Sequence, residues 1–150
     1  MTLVRFVIVV ALALSSLLFP VGCGHYGKLV PLKESPGEMT LQQLKTDWSD
    51  YHVYYNEDYG ARALIFDPKG DDKRVTHNTW TKIEDQRILE KRIKRIEDSH
   101  SRSGLYRLLG PDGSFFAYVF SNKAESVVGM KAGENELLVM GLIVNRPPPR

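Results

Sequence analysis

The sequence predicts an α+β domain in which a largely antiparallel sheet of six or seven strands packs against two helices. Three observations lead to this fold class: two stretches with apolar residues at helical spacing, several short runs of β-branched and aromatic residues, and turn residues between those runs. The predicted order is one helix, three strands, a second helix and four strands. A chain of 150 residues with 43% hydrophobic and 25% charged residues suffices for one such domain.

The first helix is predicted to begin after Thr40. Thr40 and Gln43 fit a capping box, in which each side chain bonds to the backbone of the other residue. The apolar residues that follow share one helical face: Leu41, Leu44, Trp48 and Tyr51. We expect this face to lie on the sheet and the helix to end near residues 48–50.

Three antiparallel strands are predicted at about 51–56, 61–67 and 72–77. Turn residues separate them at 56–60 and 67–70, where glycine and proline favour chain reversal. Ala63 and Ile65 alternate with Leu64 and Phe66 in the second strand. Because both faces of this strand are apolar, we expect it to be central in the sheet.

The second helix is predicted to begin at a further capping box, Thr81 to Glu84, and to continue to about Ser99. Leu89, Ile93 and Ile96 recur at helical spacing and are expected to be buried. The basic residues of this helix lie outside that face: Arg87, Lys91, Arg92, Lys94 and Arg95. They form either a patch for anionic lipid headgroups or a solvated face supported by pairs of opposite charge along the helix.

Four more strands follow, beginning with a hairpin around Gly110–Gly113 and continuing at about 125–130 and 136–144. Residues 145–150 are rich in proline, which cannot donate a ladder hydrogen bond, and are predicted to form a tail. The residues expected to dominate the core are Leu44, Trp48, Ile65, Phe66, Leu89, Ile93, Ile96, Leu108, Phe116, Val119, Leu138 and Met140.

The composition and motifs give no indication of catalysis. A formal net charge of +2 does not favour a nucleic-acid partner, and a single cysteine excludes an intramolecular disulfide. The four histidines are scattered along the chain: His25, His52, His77 and His100. We therefore predict no enzyme, and no catalytic, cofactor-binding or metal-binding residues.

Residues 1–22 have the features of a secretory signal peptide. Arg5 is followed by 14 uncharged, mostly apolar residues, which is fewer than the roughly 20 that a helix needs to cross a bilayer. Gly22 and Cys23 follow, with Pro20 where leucine is usual and Val21 as an allowed occupant. Over residues 1–24 the chain resembles the bacterial lipoprotein signal peptide class. A retained transmembrane anchor and ordinary cleavage near His25 are the alternatives.

This resemblance implies that Cys23 is lipidated on its sulfur and then, after cleavage, on its amine. Two or three acyl chains would hold the protein on a membrane, facing the periplasm. Gly24 stands where many inner-membrane lipoproteins of this class have aspartate, which favours the outer membrane. Residues 23–37 are then predicted to be the lipidated cysteine and a flexible tether, and residues 38–144 the single domain.

The predicted function is that of a lipid-anchored, non-catalytic interaction or accessory domain of the bacterial envelope, with another envelope protein as partner. Three alternatives remain open. The chain is a lipoprotein that binds a small apolar ligand, a secreted periplasmic protein if Cys23 is not lipidated, or a hydrolytic enzyme whose catalytic residues converge only in the fold.

Overall fold

The computed structural model describes residues 26–33, 35–70, 72–99, 102–123 and 127–142. These residues form three layers, which confirms the α+β class: a helical layer, a six-stranded antiparallel sheet and a three-stranded sheet. The helices are α1 (Leu41–Thr46) and α2 (Gln86–Glu97), with a 3₁₀-helix at Trp48–Asp50. The strands are β1 (Lys28–Pro31), β2 (Tyr51–Asp58), β3 (Ala61–Pro68), β4 (Arg74–His77), β5 (Thr81–Ile83), β6 (Gly104–Leu109), β7 (Phe115–Ser121), β8 (Val127–Gly133) and β9 (Glu136–Leu142).

The six-stranded sheet, which we call the inner sheet, has the order β1-β6-β7-β3-β2-β5. The three-stranded sheet, which we call the outer sheet, has the order β4-β9-β8, with β4 parallel to β9 and β8 antiparallel to it. The two sheets are linked at one edge by the chain itself, because Tyr26 pairs with Met130 of β8 before β1 pairs with β6.

Strand β3 is central, as its sequence predicts. Leu64 and Phe66 contact the helical layer, whereas Ala63 and Ile65 face the outer sheet. On the helical side they join Leu44, Val53, Tyr55, Ile83, Leu89, Ile93, Ile96 and Phe120. On the other side the core contains Leu108, Phe116, Ala117, Val119, Val127, Leu137 and Val139. The inner sheet therefore separates two apolar cores.

The capping box at the first helix is confirmed. The backbone amide of Gln43 donates to the Thr40 hydroxyl at 3.1 Å, and the amide of Thr40 donates to the Gln43 side chain at 3.0 Å. The α-helix ends at Thr46, and Trp48 is only partly buried at the edge of the core on the helical side.

The predicted start of the second helix is wrong. Residues Thr81–Ile83 form β5, in which Ile83 pairs with Val53 and is buried. The helix begins instead at Gln86, where Asp85 is the N-cap and its side chain accepts from the amide of Arg87 at 2.8 Å. Pairing with β2 satisfies backbone groups of β5 that would be unpaired in a first helical turn, and Asp85 caps as well as threonine does.

The expected tether is also wrong over residues 28–31. These residues form β1, an edge strand that is antiparallel to β6, and Leu29 packs against the core between the two sheets. Lys28, Val30 and Pro31 are exposed and only Leu29 is partly buried, so the four residues show no alternation of polar and apolar positions that would predict a strand. The folded part of the chain thus begins much closer to Cys23 than a tether to residue 37 would place it.

The predicted inward face of the last strand is wrong, because the buried residues are the neighbours of those expected in the core. Leu137 and Val139 are fully buried, whereas Leu138 is only partly buried and Met140 is 48% exposed. Residues 137–140 are all apolar, so the alternation that would fix the inward face of the strand is absent from this part of the sequence. A bulge beside Gly129, between the pairs Val128 with Gly141 and Gly129 with Val139, also shifts the register.

Candidate functional site

The basic residues of α2 lie over a groove at the end of the β2–β3 hairpin. Burial of Leu89, Ile93 and Ile96 on the inner sheet fixes the rotation of the helix and turns its basic residues outward. The groove has a volume of about 660 Å³. It is lined by Arg62, Ile88, Lys91, Arg92, Lys94, Arg95 and Asp98, and we call it the basic groove. Five of the lining residues are therefore cationic and only one, Asp98, is acidic.

Glu57, which is not itself a lining residue, pairs with two arginines of the basic groove. Its carboxylate accepts from Nε and one terminal nitrogen of Arg95, each at 3.0 Å, so the pair is bidentate. Nε of Arg62 lies 3.2 Å from the same carboxylate, close enough for an ion pair. The Tyr55 hydroxyl donates to Glu57 at 2.7 Å. Such pairing restricts the guanidinium groups to one geometry.

The same contacts shift two pKa values. The Arg95 guanidinium, with help from Tyr55 and Arg62 and against partial burial, lowers the pKa of Glu57 to about 2. Burial and the bond to Glu57 raise the pKa of Tyr55 to about 12. Arg92 lies 4.4 Å from the centre of the Tyr55 ring, in cation–π geometry. At neutral pH Glu57 is thus an ionised carboxylate that anchors two guanidinium groups of the groove lining.

Strand β3 presents Arg62 because the β2–β3 hairpin has a two-residue turn. Tyr59 and Gly60 both have positive φ, at 50° and 80°, which places Glu57 directly opposite Arg62. The Asn122 side chain then fixes this end of the hairpin: it accepts from the Arg62 amide and donates to the Gly60 carbonyl, both at 2.8 Å.

Helical spacing in the sequence predicts the basic residues of α2 as one surface, but it does not predict that Glu57 and Arg62 join them. Their partnership depends on the register of the hairpin, and a turn placed at 56–60 without choosing its two central residues leaves that register open. A two-residue turn at 59–60 pairs position 57 with position 62, so the contact follows from the sequence only if the turn is placed at those two residues.

Two histidines that are distant in sequence line a second cavity, which we call the histidine cavity. His52 of β2 and His77 of β4 line it together with Tyr54, Asp67 and Trp80, and its volume is about 480 Å³. The His77 ring stacks on Tyr54 with ring centres 3.5 Å apart. Burial, with a smaller contribution from His52, lowers the pKa of His77 to about 4. His77 is therefore neutral at pH 7.

A third groove, of about 600 Å³, lies between α1 and the β1 and β6 edge of the inner sheet. Its apolar lining residues are Leu32, Pro36, Met39, Leu41, Leu105 and Phe120, with polar residues such as Glu38 and Thr40 at its margin. Glu38 is paired with Arg107. This is the place in the described chain that corresponds to the small apolar ligand of the alternative prediction.

The predicted lipidation site, Cys23, lies outside the described residues, as do His25, His100 and the tail at 145–150. Within the ranges that the structure describes, no group of three or more histidine, cysteine, aspartate or glutamate side chains is arranged to hold a metal ion. In that same part of the chain no helix has both the length and the apolar character needed to cross a bilayer.

Comparison with known proteins adds no relative to this picture. No protein-family model, curated protein or solved structure matches the chain.

Proposed function

We propose that this chain is a lipid-anchored protein of the bacterial envelope, held on its membrane through Cys23, and that its folded domain binds an acidic surface of another envelope protein without catalysing a reaction. The outer membrane is the preferred location. The observation that carries the binding role is the basic groove, where five cations surround one cavity with Asp98 as the acidic residue in its lining.

The fixed arginines of the groove support specific binding to carboxylates on a protein rather than a non-specific attraction to any negatively charged surface. Arg95 is 52% exposed although Glu57 holds it by two hydrogen bonds, so its guanidinium is both fixed and accessible. Fixed guanidinium groups suit carboxylates because the geometry is matched before the partner arrives and less entropy is lost on binding. Ile88, 45% exposed at the same groove, offers an apolar contact beside the charges.

The position of the groove supports a partner away from the anchoring membrane. The groove lies on the helical layer, whereas the described chain begins at Tyr26 on the outer sheet, at the opposite face of the inner sheet. Cys23 precedes Tyr26 by three residues, which span at most roughly 10 Å. If Cys23 is lipidated, the basic groove therefore faces the periplasm and does not contact the headgroups of the anchoring bilayer.

The test is site-specific photocrosslinking in a bacterial host that carries the native envelope. A photoreactive residue replaces Ile88, which removes no charge, and a second protein carries it in place of Gln42, an exposed residue on α1. We expect the label at position 88 to capture one reproducible envelope protein with an acidic surface, and the label at 42 not to capture it.

Two charge-reversed backgrounds complete the test. The pair Lys91→Glu and Lys94→Glu is expected to abolish the adduct at position 88, because it removes the attraction. The matched pair Lys33→Glu and Lys82→Glu alters the net charge equally at exposed positions outside the groove lining and is expected to leave the adduct unchanged. A protein adduct that persists after charge reversal at positions 91 and 94 would refute recognition of an acidic surface by this groove. Adducts that contain only phospholipid would refute a protein partner.

A further inference from the structure

The outer sheet has an apolar face that no described element covers. Its inward residues, such as Leu137 and Val139, are buried against the inner sheet, so the residues that alternate with them point away from the molecule. Three of the outward residues form a row across neighbouring strands, since Met130 pairs with both Tyr26 and Leu138. The outward apolar side chains are Tyr26, Val128, Met130, Leu138 and Met140.

This face holds two of the most exposed large apolar side chains of the described chain. Tyr26 is 55% exposed and Met140 48% exposed. Polar groups lie at its far end, where the Thr76 hydroxyl donates to Glu136 at 2.7 Å. An apolar face with a tyrosine at one edge suits the boundary of a bilayer, since the tyrosine ring is apolar and its hydroxyl reaches the headgroups.

The described part of the chain begins at this same face. Tyr26 is the first described residue and stands at the edge of the outer sheet, three residues after Cys23. Three residues span at most roughly 10 Å, so acyl chains on Cys23 would enter a bilayer within that distance of Tyr26. Because residues 28–31 are paired with β6, this described stretch cannot act as a tether that lets the domain turn away.

We propose that the outer sheet lies flat on the membrane that anchors the protein, with Tyr26, Met130 and Met140 in contact with lipid. The inference rests on the lipid anchor of the proposed function and adds an orientation to it. The outer sheet then faces the bilayer, the inner sheet is parallel to it, and the basic groove on the helical layer faces the periplasm.

The test uses the acylated full-length mature protein, purified from a bacterial host and reconstituted in vesicles of phosphatidylethanolamine and phosphatidylglycerol. Cys23 is the only cysteine of the chain and acylation occupies its sulfur, so a second cysteine takes a spin label alone. One form carries Met140→Cys and the matched control carries Gln42→Cys on the opposite layer. Both positions are exposed, so neither label disturbs the core.

Relaxation of each label by oxygen, which concentrates in lipid, is compared with relaxation by a water-soluble nickel complex. We expect oxygen to dominate at position 140 and nickel to dominate at position 42, so the depth parameter changes sign between them. Nickel dominance at both positions would overturn the proposed orientation. Strong coupling between two labels at position 140 would also overturn it, since a second copy of the chain would then cover the face.

Intact mass of the same preparations separates this inference from the proposed function. Acyl chains on Cys23 with a water-exposed label at 140 would refute the orientation and leave the anchor in place. A mature protein without acyl chains would refute the anchor itself, and the orientation with it.

Discussion

His77 is a residue whose burial should make the stability of the fold depend on pH. Both ring nitrogens are buried without a hydrogen-bond partner among the described residues, and one face of the ring is covered by Tyr54. A charged imidazole in this place would lose its hydration and gain no acceptor in return. The groups that share its cavity include the cations Lys73 and Arg74, and His52 lowers its pKa further.

We expect the free energy of unfolding to fall as the pH is lowered from about 6.5 to about 4. The pKa of His77 is about 4 in the fold and near 6.5 in the unfolded chain. Within this window the unfolded chain binds a proton that the folded chain does not, so acid favours unfolding. By linkage, the free energy of unfolding should fall by about 2 kcal/mol by pH 4.5, a value already reduced for the partial exposure of the ring. Urea unfolding at several pH values measures it.

The control for this prediction is a pair of single substitutions. His77→Gln removes the titration and should flatten the dependence between pH 6.5 and 4.5, whatever its effect at pH 7. His52→Gln removes a less buried histidine and should keep most of the dependence. Identical slopes for wild-type and His77→Gln would show that other groups are responsible.

At the scale of elements, Asn122 links the end of β7 to the β2–β3 hairpin. Its side chain is 5% exposed and bonds to the Arg62 amide and the Gly60 carbonyl. Asn122→Ala leaves both backbone groups without these partners. We expect a loss of about 2–4 kcal/mol in the free energy of unfolding, because unsatisfied buried groups forfeit their hydration without compensation.

Chemical denaturation of Asn122→Ala beside Gln42→Ala checks this expectation. Gln42 is an exposed amide on α1, and its replacement should change stability by no more than about 0.5 kcal/mol. A similarly small change for Asn122→Ala would mean that the hairpin keeps its conformation without the amide.

The elements that sequence predicted well are those with two independent patterns in agreement. The sequence predicts β3 at the centre because both faces of the strand are apolar and turn residues bound it, and it predicts α1 because capping residues and apolar spacing coincide. At Thr81 only a capping pattern was present, and Asp85 provided an equally good cap four residues later. Pairing of β5 with β2 makes residues 81–83 a strand, so Asp85 is the cap that is used. Long-range pairing of this kind leaves no local trace in the sequence.

The candidate site, like the fold, can be predicted from the sequence only in part. Helical spacing alone predicts the basic face of α2, because the buried residues Leu89, Ile93 and Ile96 determine which side is outward. The groove also needs Glu57 and Arg62 from a hairpin, and the histidine cavity needs strands from both sheets. Neither convergence follows from spacing along the chain, since each depends on how separate elements pack.

At the scale of the whole molecule, the fold and the proposed anchor are joined by β1. This strand pairs with β6 through four residue pairs, and the chain just before it pairs with β8 of the outer sheet. It therefore closes the edge where the two sheets meet. A flexible segment here would leave the orientation of the domain free, whereas a paired strand would transmit the position of the proposed lipid anchor to the entire fold.

Shortened forms of the chain test whether β1 belongs to the fold. A form that begins at Leu32 loses the pairing with β6 and the packing of Leu29, which together should cost about 3 kcal/mol of unfolding free energy. A form that begins at His25 keeps both and serves as the reference. Urea unfolding of the two should give clearly different midpoints, and the shorter form should also aggregate more readily because the edge of β6 is then unpaired. If residues 28–31 were a tether, their removal would change the free energy by no more than about 0.5 kcal/mol, so equal stability of the two forms would remove the rigid link on which the membrane orientation depends.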